Sequence, residues 1–340
     1  MKISIRQPLS YTHQGKKDNQ EDRIYPSVTD VTSRNRFFIL CDGMGGHENG
    51  EVASSTVCEA LGDFFTTCQP EDGIATEEFF NQALSSAYDA LDKKDTGALR
   101  KMGTTLACIY LHRKGCLAAH IGDSRIYQIR PGKGLIYQSS DHSLVNELLK
   151  IGEITPEEAQ NYPQKNVITR AMQPNQERRC KAEIHQLTDI QSGDYFFLCC
   201  DGVLEQLTND KLYSILSDKN RSDKEKLNAI EAVGKDVTKD NYTAYLIPVD
   251  KVILEDPEEK EDDENVVIAT MDVVITTTTE EDQKEHEEPQ NKVELLPSSS
   301  PVKHKRTNKW KIGIGIGIVL IILILLAVLW LVINTFQVVQ

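Results

Sequence analysis

The sequence predicts an α+β fold, with helices packed on antiparallel sheets, followed by a linker and a single C-terminal transmembrane helix. Three observations predict it. Strand-like runs at 104–112, 116–121 and 125–130 succeed one another with no helix between them, which favours hairpins over alternating β-α units. Amphipathic patterns at 50–67 and 76–93 have helical spacing. Ile312 to Ile333 is 22 residues without a charge, about 33 Å as a helix, and has no polar edge.

The other strands are expected at 37–41, 135–138, 195–200 and 242–249, all rich in β-branched and aromatic residues. Further helices are expected at 143–151 and 223–237. In 76–93, Phe79, Phe80, Ala83, Leu84, Ala87, Tyr88 and Leu91 make one apolar stripe. These elements assign residues 1–249 to one working domain. Its first residues, "MKISIRQPLSYTHQGKK", contain no apolar core long enough for a signal peptide. None of the eight cysteines forms a C-x-x-C pair, which disfavours a zinc ribbon or a thioredoxin-like site. Cys41, Cys58, Cys108, Cys199 and Cys200 lie in apolar runs, where a reduced thiol acts as a small hydrophobe, so a reducing compartment is expected.

The net charge of −14 belongs mostly to the tail: residues 250–296 hold 17 acidic and 4 basic residues. Residues 297–340 add five Lys or Arg and no acid, which leaves about −6 for residues 1–249, an ordinary value that offers no basic face for nucleic acid. Residues 250–308 read as an acidic disordered linker, too polar to bury a core. Its β-prone patch at 265–279 can add a strand to a partner, offer Thr276 to Thr279 to a kinase, or serve as a plain spacer. Residues 309–340 read as a tail anchor. Lys303, Lys305, Arg306, Lys309 and Lys311 precede the span and no charge follows it, so residues 1–311 are expected in the cytoplasm and the last seven outside, with the protein single-pass in the membrane. Gly313 and Gly317 form a G-x-x-x-G that can pair two such helices weakly, although glycine is also common in unpaired spans.

Carboxylates recur wherever an apolar run meets a turn. Asp42 follows "FFILC", Asp201 follows "YFFLCC", Asp123 follows "CLAAHIG", Asp240 precedes the last strand, and Glu21 and Asp22 precede "RIYPSV". Each alone has an ordinary explanation: an Asp-Gly hairpin turn, an N-cap or an Asx-turn. If the ends converge, four or five carboxylates share one site and their repulsion requires a cation. Oxygen ligands without a His or Cys cluster select Mg2+ or Mn2+ over Zn2+.

The succession "KKDNQEDRIY", "CDGMGGHENGEVAS", "MGTTLACIY", "HIGDSRIYQI", "DHSLV", "NVITRAM", "FFLCCDGVLEQL" and "KDNYTAYLI" resembles that of the type 2C metal-dependent Ser/Thr protein phosphatases, in particular their bacterial members. The resemblance spans about residues 10–248. It implies a sandwich of two antiparallel sheets flanked by helices on both faces. It also implies that Glu21, Asp42, Asp201 and Asp240, with the Gly43 carbonyl, hold two Mg2+ or Mn2+ ions, Asp42 bridging them. Asp22 would order a metal-bound water and Asp123 would serve a third, weaker ion.

The implied reaction is in-line attack on a phosphoserine or phosphothreonine of a protein by a metal-bridging water, whose pKa two metals lower from 15.7 toward about 7. Two departures from the family pattern stand out. Lys17 occupies the position of a phosphate-binding Arg, trading a bidentate fork for a point charge. Met44 stands where many members have a His, so His47 or a metal-bound water would have to protonate the leaving group. Arg170 is either a second phosphate-facing cation or part of a structural ion pair. Membrane Ser/Thr kinases and their substrates are the expected targets. The rival readings are a membrane-tethered pseudophosphatase that binds phosphoproteins and a scaffold whose acidic tail is the functional part.

Overall fold

A computed structural model describes residues 1–254 except 46–48, 96, 98–101, 161, 165 and 166. The linker beyond 254, the 265–279 patch, the 312–333 span with Gly313 and Gly317, and His47 therefore lie outside the described residues. No helix among those described is long and apolar enough to cross a membrane.

The chain opens with strands β1 (Lys2–Ile5), β2 (Leu9–His13), β3 (Asp22–Tyr25) and β4 (Phe37–Met44), then helices α1 (Asn49–Thr67) and α2 (Glu77–Asp92). Five strands follow with only short connections: β5 (Gly103–Thr104), β6 (Leu106–His112), β7 (Gly115–Ile121), β8 (Arg125–Arg130) and β9 (Gly134–Gln138). Helices α3 (Leu144–Lys150) and α4 (Pro156–Gln160) lead to β10 (Glu183–Leu187) and β11 (Tyr195–Cys199). Then come α5 (Asp201–Leu204), α6 (Asn209–Ser217), α7 (Asp223–Gly234) and the long β12 (Tyr242–Ile253).

Two six-stranded sheets result, one ordered β1-β12-β11-β8-β9 with β2 also on β12, the other β10-β7-β6-β4-β3 with β5 on β4. Every pairing is antiparallel. Alternation along β4 explains how layers form on both sides of the second sheet. Phe38 and Leu40 point into the core between the sheets, where the Phe38 ring meets Tyr245 edge-on at 5.5 Å. Ile39 and Cys41 point the other way, into a second core with Val57, Leu61 and Phe65 of α1 and Phe80, Leu84 and Leu91 of α2. On the far side, Leu212 and Leu216 of α6 and Leu227 and Ile230 of α7 join the core around β11 and β12. Each such side chain contributes roughly 1.5–3 kcal/mol of burial.

Helix starts are capped from the sequence. Thr76 accepts from the Phe79 N–H, Ser143 from Asn146, and Ser222 with Glu225 forms a reciprocal capping box. All eight cysteines are free, and the five expected inside apolar runs are buried.

Candidate metal centre

The second sheet brings two acids face to face. Asp22, the first residue of β3, pairs in register with Asp42 on β4, and the Gly43 N–H donates to the Glu21 carbonyl at 3.1 Å. Like charges directly opposite on adjacent strands destabilise a sheet. The first sheet supplies the rest. Asp201 begins α5 just after β11, and Asp240 lies just before β12.

Asn241 joins these parts. Its Oδ1 accepts from the Glu21 N–H at 2.7 Å, and its Nδ2 donates to the Gln14 and Asn19 carbonyls at 2.8 and 2.9 Å. The "DN" pair is thus a clamp between chain segments more than 200 residues apart. Sequence reasoning missed this role because it weighed only the aspartate.

Glu21, Asp42, Gly43, Asp201 and Asp240 line one cleft of about 350 Å³, together with Lys17 and Met44. Lys17 Nζ sits 2.9 Å from Asp240 Oδ1. Burial works against the Lys17 charge, but the Asp240 bond and the nearby Glu21 and Asp42 raise its pKa overall. Asp22 is buried behind the cleft, where the Cys200 thiol donates to its Oδ2 at 3.3 Å. Asp123, on the turn from β7 to β8, is also buried and within electrostatic range of Asp201 and Asp42. Arg170 lies elsewhere, its Nη1 3.4 Å from His142 Nε2 in a separate cleft with Asp141 and Glu147.

The electrostatics ask for a cation. Burial raises Asp42 far above the usual carboxylate range, and Asp22, Asp201, Asp123 and Asp240 push the same way. Burial carries Asp22 up to about 7 against hydrogen bonds from Thr243 and Cys200. Burial and Asp201 carry Asp123 to about 7, and burial and Asp240 carry Asp201 to about 6. The Oδ1 atoms of Asp22, Asp123 and Asp201 are buried without a hydrogen-bond partner. Such atoms cost free energy unless something positive meets them.

The donors that face the cleft are oxygens, which suits Mg2+ or Mn2+. Cys200 lies close enough to Asp22 and Asp42 to join a site. However, burial and the neighbouring carboxylates raise its pKa far above the ordinary value, so it stays a thiol and a donor. Close backbone packing holds the acids in place: a Cβ on Gly43 would stand 2.2 Å from the Gly50 carbonyl oxygen and 2.7 Å from that of Glu21.

This fold and this cleft define a metal-dependent phosphatase class. A family model described as protein phosphatase 2C matches residues 10–228, and the chain belongs to that family. Among its relatives, the protein phosphatase PhpP of Streptococcus pneumoniae is 35% identical over 203 residues, covering 59% of this chain and 80% of PhpP. The crystal structure of the Mycobacterium tuberculosis serine/threonine phosphatase PstP/Ppp superposes with a TM-score of 0.61 at 28% identity, covering 73% of this chain and 99% of that one. A structure of the PstP catalytic domain in complex with two manganese ions has a TM-score of 0.59 at 27% identity, covering 74% of this chain and all of that one.

Proposed function

We propose that residues 1–249 are a catalytic unit that removes phosphate from phosphoserine and phosphothreonine in proteins, dependent on Mg2+ or Mn2+. The observation that supports this most is that Glu21, Asp42, Asp201 and Asp240 line a single cleft. Glu21, Asp42, Asp201 and Asp240, with the Gly43 carbonyl, would hold the two ions, and Asp123 would serve a third. Bound there, the ions neutralise phosphoryl charge and make a water acidic enough to attack near neutral pH. Asp22, its carboxylate oriented by the Cys200 thiol, would accept a hydrogen bond from that water. Lys17, already in the cleft, meets the incoming phosphate as a point charge.

The uncharged stretch 312–333 and its basic flank support a tether that keeps this unit on the cytoplasmic side of a membrane. There, phosphorylated membrane kinases and their substrates meet it at raised effective concentration. Gly313 and Gly317 are the seam for a weak pairing of such tethers.

The test uses the full chain and a phosphothreonine peptide with Mn2+. Phosphate release is expected, and Asp201→Asn should lower kcat/KM by about a thousandfold, roughly 4 kcal/mol of transition-state stabilisation. Peptide binding without release by either protein would return the chain to a phosphoprotein-binding module. Deleting residues 309–340 should abolish co-sedimentation with vesicles; undiminished sedimentation would remove the tether.

A further inference from the structure

Outside the carboxylate cleft, one other group among the described residues lies close enough to share a metal: His120, His142 and Glu183. Its hydrogen bonds assign it different work. The Gly122 N–H donates to His142 Nδ1 at 3.1 Å, so that nitrogen carries the lone pair. The ring proton then sits on Nε2, 3.3 Å from Glu183 Oε2, so the Arg170 guanidinium, 3.4 Å from the same nitrogen and able only to donate, acts on the ring through its charge and not through a hydrogen bond. A cation on Nε2 would force the proton onto Nδ1, where it would meet the Gly122 N–H head on. The ring is a neutral bridge from a carboxylate to a backbone amide.

Its surroundings keep it so. Burial, the His120 ring and the Arg170 guanidinium hold the His142 pKa down to about 4. The two imidazoles stack at 4.6 Å and 8°, and His120 Nε2 donates to the Ser140 carbonyl at 2.9 Å. The backbone N–H of His142 also donates to the Gly122 carbonyl at 2.9 Å. One residue therefore holds both polar groups of Gly122. That glycine has φ +100°, and a Cβ there would meet Thr105 Cγ2 at 2.7 Å. The next residue is Asp123. The one after, Ser124, places its Oγ 2.7 Å from Thr105 Oγ1, which accepts from the Asp42 N–H at 3.0 Å. The clamp on Gly122 thus bears on Asp123 directly and on the Asp42 backbone at one remove.

We propose that His142 is the positioning residue of the Asp123 metal site, fixing the Gly122–Asp123 turn through both backbone groups of Gly122 while Glu183 fixes the ring. The proposal rests on Asp123 being a metal ligand, as read above. Partners that orient a ligand typically govern tenfold to a hundredfold in metal affinity.

The experiment is calorimetric titration of the metal-free full chain with Mn2+, which reads each site without reference to turnover. Asp123→Asn should remove the weakest site; if every site remains, the ligand assignment itself fails. His142→Gln reaches toward the Nε2 position, leaves the Gly122 amide without its acceptor, and should weaken that same site by about tenfold or more. His142→Asn, whose Oδ1 stands where Nδ1 was, should restore it. Wild-type affinity in His142→Gln overturns the proposal. So does equal weakening of all sites, or His142→Asn as weak as His142→Gln, since either marks general support of the fold. Should His142→Gln not fold, Glu183→Leu removes the acceptor behind the ring from an edge strand and is read the same way: loss confined to the weakest site supports the proposal, and no loss overturns it.

Discussion

Asp42-Gly43 and Asp201-Gly202 are the same dipeptide after the same kind of apolar run, yet their backbones part at the aspartate. After Asp42 the strand continues. The Asp42 N–H donates to Thr105 Oγ1 at 3.0 Å, its carbonyl accepts from the Thr105 N–H at 2.9 Å, and Gly43 pairs with Thr104. At Asp201 the sheet ends and α5 begins, with the Glu205 N–H closing a helical turn onto the Asp201 carbonyl at 3.1 Å. Neither dipeptide is the hairpin turn that its composition suggests. What the two share is clearance: a Cβ on Gly43 would strike Gly50, and one on Gly202 would stand 2.0 Å from the Asn241 carbonyl oxygen. The dipeptide encodes an acid that another backbone can approach closely, and the neighbours choose the conformation.

The hardest test of that claim replaces both glycines. Gly43→Ala and Gly202→Ala should each cost roughly 1–3 kcal/mol in urea unfolding, because the obstructing atoms are backbone. Gly43→Ala should also weaken Mn2+ binding more, since the Glu21 carbonyl is among the atoms it displaces. Wild-type stability in either variant would break the comparison.

The two aspartates differ in electrostatic load, which pH can sharpen. Both have pKa values raised above the ordinary value of about 4, so their contribution to metal-free stability is intact below that pH. It is lost as pH rises through about 6 for Asp201, and in the same direction for Asp42, which burial and four neighbouring carboxylates raise well above the ordinary value. With a chelator present, the urea midpoint should therefore fall between pH 5 and pH 8, and saturating Mn2+ should flatten the fall. Asp42→Asn should recover more of the pH 8 loss than Asp201→Asn. The reverse ranking would mean that the carboxylates do not crowd Asp42 as described.

The smallest effect concerns Lys17, which reaches the Asp201 side of the cleft through Asp240. Lys17→Arg should lower KM for a phosphopeptide severalfold while changing kcat less, because a planar fork grips phosphate better than a point charge. An unchanged or higher KM in steady-state kinetics would remove Lys17 from the phosphate site.

Much of the fold was legible because burial repeats at short range. The runs at 116–121, 125–130 and 195–200 became β7, β8 and β11 within a residue or two, and the Phe80 to Leu91 stripe is the buried face of α2. The short strands β1, β2 and β3 were not legible: four or five residues give too few alternations to stand out. Edge strand β10 was missed because no residue in it is fully buried. The acids of the cleft were visible one by one, and the order of motifs connected them by resemblance.

By itself the sequence determined which segments are greasy and with what period, where acids end those segments, and which helices are capped. Only the tertiary structure decided that positions 21, 42, 201 and 240 line one cleft, that Asn241 ties the Asp240 end of the chain to Glu21, and that His142 grips the turn before Asp123. Period and capping depend on residues a few positions apart. Convergence depends on the register between strands from distant parts of the chain, which no local pattern carries.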